Sequence, residues 1–231
     1  MTGSIPSVRD SDAAGAYRVH ALLELTTLRA LEDANQAFLS LLSGQARRAP
    51  GGAAFGLEGE LLERVAALTG GPRALAARCP YALFDLQFDN GAFWAEAAQG
   101  APVPVAAGGS EALAFAHTAA FMAWHLAQGD ELAAALVLGM TPAVRATWRA
   151  LPLSAVTPAA AAAWPVLRAR WAQHRLFWPA LIAAAATRDA EASEQVRRLG
   201  LQLLAADGLR GQLAPQRLRS AQPARATPAR D

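Results

Sequence analysis

The chain states one pattern twice, and this repetition constrains its fold more than any other feature. Residues 55–94 read Phe55-Gly56-Leu57, a helical stretch ending Ala67-Leu68-Thr69, then Leu75-Ala76, Pro80, Leu83 and Phe88, closing on Phe93-Trp94. Residues 138–178 read Leu138-Gly139-Met140, a helical stretch ending Ala150-Leu151-Pro152, then Ala159, Pro165, Leu167 and Trp171, closing on Phe177-Trp178. Gly56 stands as far from Leu68 as Gly139 does from Leu151, and two one-residue gaps align the rest. A duplicated unit implies two copies packed face to face inside one chain. The alternative is coincidence between two Ala/Leu-rich helical stretches. The rare terminal Phe-Trp pairs and the gap-free Gly-to-Leu spacing weigh against it.

A chain of 231 residues can bury a substantial core. It is 53% hydrophobic and rich in Ala, without runs of β-branched residues alternating at period two, which predicts an all-α fold. Cys79 is the single cysteine, so no intrachain disulfide forms and a cytoplasmic setting is expected. Residues 1–14 are polar and show no apolar signal core. The longest apolar stretch, 112–127, carries His117 and His125 and is too short and polar to predict a membrane span. All 21 basic residues are Arg. Without Lys there is neither a P-loop nor a Schiff-base enzyme.

The formal charge of +2 divides unevenly. Residues 210–231 hold five Arg and one acid, and are expected to be disordered. The two copies also differ. Residues 56–94 carry three Arg and five acids, whereas 139–178 carry five Arg and no acid. No acidic residue occurs between Glu131 and Asp189, a strong positive bias for a folded segment.

Along the chain, a disordered N-terminus is expected over 1–14, a first helical unit over 15–95, a linker over 96–110, a second unit over 111–207 and a disordered tail over 208–231. A long helix is predicted from about Ala13 to Leu42. Leu28, Leu31, Asn35, Phe38 and Leu42 form a coiled-coil-like seam, in which Asn35 either sets register or lies wet at the edge. Ser43-Gly44 would end this helix. Helices are expected over Glu58–Leu68 and, after a stop and restart at Thr69-Gly70-Gly71-Pro72 with Pro72 at the first helical position, to about Arg78, with a short strand or extended arm over Tyr81–Phe88, where Phe84, Leu86 and Phe88 alternate with Asp85 and Gln87. In the second half, Leu113, His117, Phe121 and Trp124 share one helical face. Asp130 and Thr141 cap the next two helices, and Val144, Trp148 and Leu151 point inward. Thr157-Pro158 would start a short Ala-rich helix. Trp178-Pro179 would open another, and a last helix would end at Asp207-Gly208.

The series Gly56-Leu57, Leu68-Thr69, Leu75-Ala76 and Leu86-Gln87-Phe88-Asp89 resembles the core of FlhD, a subunit of the bacterial flagellar transcription regulator. Upstream, Asn35, Phe38, Leu39, Leu41 and Leu42 resemble that family's first helix. Asp130 through Leu138-Gly139-Met140 resembles it a second time. The resemblance implies two tandem FlhD-like units forming an intrachain pseudo-dimer. FlhD acts as a dimer with FlhC, which carries a zinc site, to bind promoter DNA. The resemblance therefore implies a transcription-regulatory role with an FlhC-like or RNA polymerase partner, and duplex DNA as a further partner. This chain departs from the family in length, in the Leu167-Arg168-Ala169-Arg170-Trp171 ending of its second copy and in its added C-terminal helices.

The basic segment carries its own expectation. Arg145, Arg149, Arg168, Arg170 and Arg175 are candidate phosphate contacts. Helices 142–151 and 158–164 have the length of a helix-turn-helix. The second is nearly pure Ala, however, and lacks base-reading side chains. The other expectation is a solvated Arg face over a core of Trp164, Trp171 and Trp178. The proposed face between the units comprises the seam residues with His117, Phe121 and Trp124. His117 and His125 lie too far apart to share a metal locally. No catalytic motif, metal site or cofactor is expected, and the alternative to a regulator is a helical adaptor that does not bind DNA.

Overall fold

The structure, a computed structural model, describes residues 23–99 and 110–220. Within them the chain is mostly helical, as its composition predicts. The first half holds α1 (Leu25–Arg48), the hairpin β1 (Ala53–Ala54) and β2 (Leu57–Glu58), α2 (Gly59–Ala67), α3 (Gly70–Ala77), β3 (Phe84–Asp85) and α4 (Gly91–Ala97). The second half holds α5 (Ser110–Gly129), α6 (Glu131–Leu138), α7 (Pro142–Ala150), α8 (Leu153–Ala163), a 3-10 turn (Trp164–Val166), β4 (Arg168–Ala169), α9 (Phe177–Thr187) and α10 (Ala190–Ser220).

The two halves repeat each other in space. Helices α2 and α7 start 83 residues apart, as do α3 and α8, while β3 and β4 start 84 apart. Gly56 and Gly139 both adopt left-handed backbone, at φ 84° and 72°. So do Gln87 and Trp171, at 58° and 53°, one on each repeat just after its strand. β3 pairs antiparallel with β4, Phe84 opposite Ala169 and Asp85 opposite Arg168. An offset of 84 carries one of these pairs onto the other, as a two-fold axis through the ladder requires. Packing follows the same rule. In each half the long helix covers its own pair of short helices, α1 on α2 and α3, α5 on α7 and α8. The closing helix crosses over: α4 packs on α7 and α8, and α9 packs on α2 and α3. The duplicated Phe-Trp pairs serve this exchange. Trp94 on α4 reaches Trp148 on α7 with ring centroids 4.6 Å apart. Phe177 lies 6.1 Å from Tyr81 in the other half. A single buried core runs through both halves, so neither is a separate globule.

Local chemistry explains most boundaries. Asp130 accepts from Ala133 N at 2.8 Å, and Thr141 accepts from Val144 N at 3.4 Å, the caps expected for α6 and α7. Gly139 ends α6 in the left-handed conformation. Phe84, Leu86 and Phe88 are buried while Asp85 and Gln87 are partly exposed, the alternation read from sequence.

Several expectations are corrected. Helix α1 does not stop at Ser43-Gly44 but continues to Arg48. Ser43 Oγ donates to Leu39 O at 2.8 Å within the helix, and the stop falls at Ala49, which precedes Pro50 and so disfavours helix. Helix α8 starts at Leu153 and contains Pro158. Helix α10 runs through Asp207-Gly208 to Ser220, so the tail does not begin at 208. The expected N-terminal segment 1–14 and the start of the long helix lie outside the described residues, as do most of the linker and residues 221–231.

The expected inner face of α5 is also wrong. Phe121 is 42% exposed, and His117 and Trp124 are only partly buried. The buried face carries Ala112, Phe115, Ala116, Ala119, Ala120, Ala123 and Ala127. Small side chains let α5 approach Ala159, Ala160 and Ala163 of α8 closely, which a Phe or Trp stripe would prevent. Helix α1 does meet α5, with the Phe38 and Phe115 rings 5.4 Å apart and Arg48 2.8 Å from Glu111. In the seam, Leu31, Asn35, Phe38 and Leu42 are buried and Leu28 is partly buried. Asn35 sets no interhelical register. Its amide donates to Ala77 O (3.1 Å) and Tyr81 O (3.0 Å) and accepts from Leu83 N (2.8 Å), clamping the loop between α3 and β3.

Candidate functional site

The two-fold ladder and its flanking turns surround a recess of about 300 Å³. Both left-handed glycines, Gly56 and Gly139, stand at its wall, with Asp85 from β3 and Arg168 from β4. The turns after the strands add Phe88, Asp89, Arg170 and Trp171, and α10 adds Asp207. The sequence placed these residues in two separate copies, and the axis brings them together.

Charges dominate the recess. Arg168 Nη2 lies 2.6 Å from Asp85 Oδ2, and Nε donates to the same oxygen at 2.8 Å. The other oxygen of Asp85 accepts from Phe88 N at 3.2 Å, so this carboxylate also holds the turn after β3. Burial works to lower the Arg168 pKa, but Asp85, with Asp89 and Asp207, outweighs it and the net shift is upward. Arg170 is 7% exposed. Its guanidinium stacks 4.8 Å from the Trp171 ring centroid, and Nη1 donates to Val137 O at 3.2 Å. Burial lowers its pKa, opposed by Asp85, Asp207 and Asp89, yet an arginine keeps its charge at neutral pH. Trp171 Nε1 donates to Asp207 Oδ2 at 2.8 Å, tying α10 to the turn after β4. Gly139 is required here. A Cβ on it would stand 1.8 Å from Arg170 Nη2, and its φ of 72° disfavours any side chain.

The five arginines expected to contact phosphates do not form one surface. Arg170 is buried in the recess and Arg168 is paired with Asp85. Arg145 Nη1 donates to Met140 O at 2.9 Å, and Arg149 pairs with Glu131. Arg175 is exposed. The positive bias of 139–178 is therefore spent largely on internal contacts, because the acids that complement it lie in other parts of the chain. Of the expected aromatic core, Trp178 is buried, while Trp164 and Trp171 are partly buried.

Cys79 is buried, and burial pushes its thiol up to about 11. Tyr81 is raised as well, chiefly by burial, and donates to Val196 O at 3.1 Å on α10. Among the described residues, no group of three or more His, Cys, Asp and Glu is placed to hold a metal ion. Among them too, no helix is long and apolar enough to cross a membrane.

Sequence reasoning missed Asp89, Trp171 and Asp207 as parts of a shared site. The available signal was the glycine pair repeated at the offset of 83, which marks the two backbone turns that line the recess. No protein-family model, curated protein or solved structure matches the chain.

Proposed function

We propose that this chain is a non-catalytic regulatory subunit, the single-chain counterpart of an FlhD-type dimer, which acts on transcription through a protein partner of the FlhC or RNA polymerase kind. The observation that carries the reading is the reciprocal exchange of α4 and α9 about a two-fold axis. This is how two copies of a small helical subunit interlock when neither buries its own core alone. A fused pair has one practical difference from a homodimer. Its two faces are free to diverge, so it can present one partner surface instead of two.

The dispersal of Arg145, Arg149, Arg168, Arg170 and Arg175 favours action through a partner over direct DNA contact. Phosphate binding needs several arginines on one accessible surface, and here four of the five have internal partners. The test is a titration of the full chain, alone and mixed with purified FlhC-type subunit or RNA polymerase, against duplex DNA at low and moderate salt. The expected result is a stable protein complex and little DNA binding by the chain alone. Tight DNA binding by the isolated chain with a steep salt slope would restore direct contact. Failure to join either protein would remove the regulatory reading.

A further inference from the structure

The recess on the two-fold axis has a feature that internal packing does not explain. Arg170 is buried, yet only its Nη1 has a hydrogen-bond acceptor among the described residues. The donors on Nε and Nη2 stay available in a wall of the recess. A guanidinium offers five N–H donors, and those of Arg170 without an internal acceptor are not sealed in the core but face the recess. Arg168, by contrast, is already neutralised by Asp85. Asp89 lines the same recess, is exposed, and makes no hydrogen bond or ion pair among the described residues. Apolar side chains line the same recess, the Trp171 ring, Phe88 and Leu138. The arrangement offers one available cation, one available anion and an apolar wall, in a volume at the lower end of small-ligand pockets.

We propose that this recess binds a small amphipathic zwitterion of the free α-amino acid class. Its carboxylate meets Arg170, its ammonium meets Asp89, and its apolar side chain rests on Trp171, Phe88 and Leu138. The planar fork of Arg170 suits a carboxylate, which accepts two parallel N–H bonds. A simple anion such as phosphate would satisfy Arg170 but leave Asp89 facing it without a cation. A simple amine would satisfy Asp89 and leave Arg170 as it is. The walls come from both repeats and from α10, so an occupant would clamp the two halves and the C-terminal helix together. This inference rests on the recess alone and stands whether or not the protein regulates transcription.

The test is calorimetric titration of the full chain with L-leucine and L-phenylalanine, beside 3-phenylpropionate, phenethylamine and inorganic phosphate. The expected result is saturable binding of one or both amino acids, with each single-charge analogue at least tenfold weaker. Asp89→Asn, on an exposed side chain, is expected to weaken the amino acid at least fivefold and to leave 3-phenylpropionate binding no weaker than before. Arg170→Met removes the carboxylate site, and circular dichroism checks that this variant folds. If Arg170→Met does not fold, Asp89→Asn decides alone. Absence of saturable amino-acid binding would overturn the proposal. So would phosphate or 3-phenylpropionate binding as tightly as the amino acids, or amino-acid binding that Asp89→Asn does not change.

Discussion

Asn35→Leu is the most informative single substitution. The Asn35 side chain is fully buried and bonds the Ala77 and Tyr81 carbonyls and the Leu83 N–H, with a longer contact of 3.5 Å to Cys79 O. Leucine has nearly the same size but no polar atoms. It would leave the Ala77 and Tyr81 carbonyls and the Leu83 N–H inside the core without partners. An orphaned buried group costs roughly 1–2 kcal/mol, so three cost about 4 kcal/mol, offset in part by the apolar character of Leu. That is a large share of the roughly 5–15 kcal/mol by which a domain is stable. The loop from Ala77 to Leu83 also leads into β3, so loosening it loosens the ladder on the axis. The assay is equilibrium unfolding in urea, followed by circular dichroism and tryptophan fluorescence. The expected result is a lowered midpoint with an unchanged slope. Asn35→Asp serves as a companion. As a carboxylate it keeps the acceptor for Leu83 N but turns charge toward two carbonyls. Protonation returns one donor, so its deficit should shrink as pH falls. A loss below about 1 kcal/mol for Asn35→Leu would refute the clamp, because the three groups would then have to find equivalent partners without it.

Three further outcomes are expected. Gly200→Ala places a Cβ 2.1 Å from the Tyr81 ring and hydroxyl, so it should cost about 2–3 kcal/mol and expose α10 amides to exchange. Tyr81→Leu in the same chain should restore that protection, and a double-mutant cycle measures the coupling. Cys79, whose ordinary value is 9.0, is raised to about 11, so its contribution is complete below pH 9 and is lost as pH climbs toward 11, at about 1.4 kcal/mol per pH unit. Between pH 9 and 10, before Tyr81 adds its own loss, Cys79→Ala should flatten the decline in stability seen by urea unfolding. Arg168→Gln breaks a pair that is half exposed on the Arg side, so it should cost no more than about 1 kcal/mol, a loss that shrinks with added salt. A salt-independent loss would mean that Arg168 acts by packing instead of charge.

What was legible in the sequence was whatever depends on neighbouring residues. Asp130 and Thr141 announced their helices because a cap is a contact over three residues. The repeat was legible because spacing survives without knowledge of contacts. What was not legible depends on which surfaces meet. Phe121 looked like a core residue by size, but α5 is buried along its alanines because α8 comes close there. Asn35 was recognised as unusual within an apolar seam, yet its partners lie 42 to 48 residues away in a loop. The arginines were counted correctly as charge, but their acids sit elsewhere: Asp85 for Arg168, Glu131 for Arg149.

That last point bears on why two copies share one chain. In a homodimer each residue facing the axis meets the same set from its partner, so an acidic strand would face an acidic strand. Here the first copy carries Asp85 and Asp89, and the second carries Arg168 and Arg170. Across the ladder Asp85 stands opposite Arg168. The positions equivalent to Arg168 and Arg170, at the offset of 84, are Phe84 and Leu86, both buried and apolar. The second copy therefore carries arginines where the first carries apolar strand residues, and a symmetric dimer would have to place the buried Arg170 twice at the same axis. One chain can place the cation on one side and the carboxylate on the other. Two of the five arginines behind the charge imbalance between the copies, Arg168 and Arg170, thus belong to a recess built from two halves that are not identical.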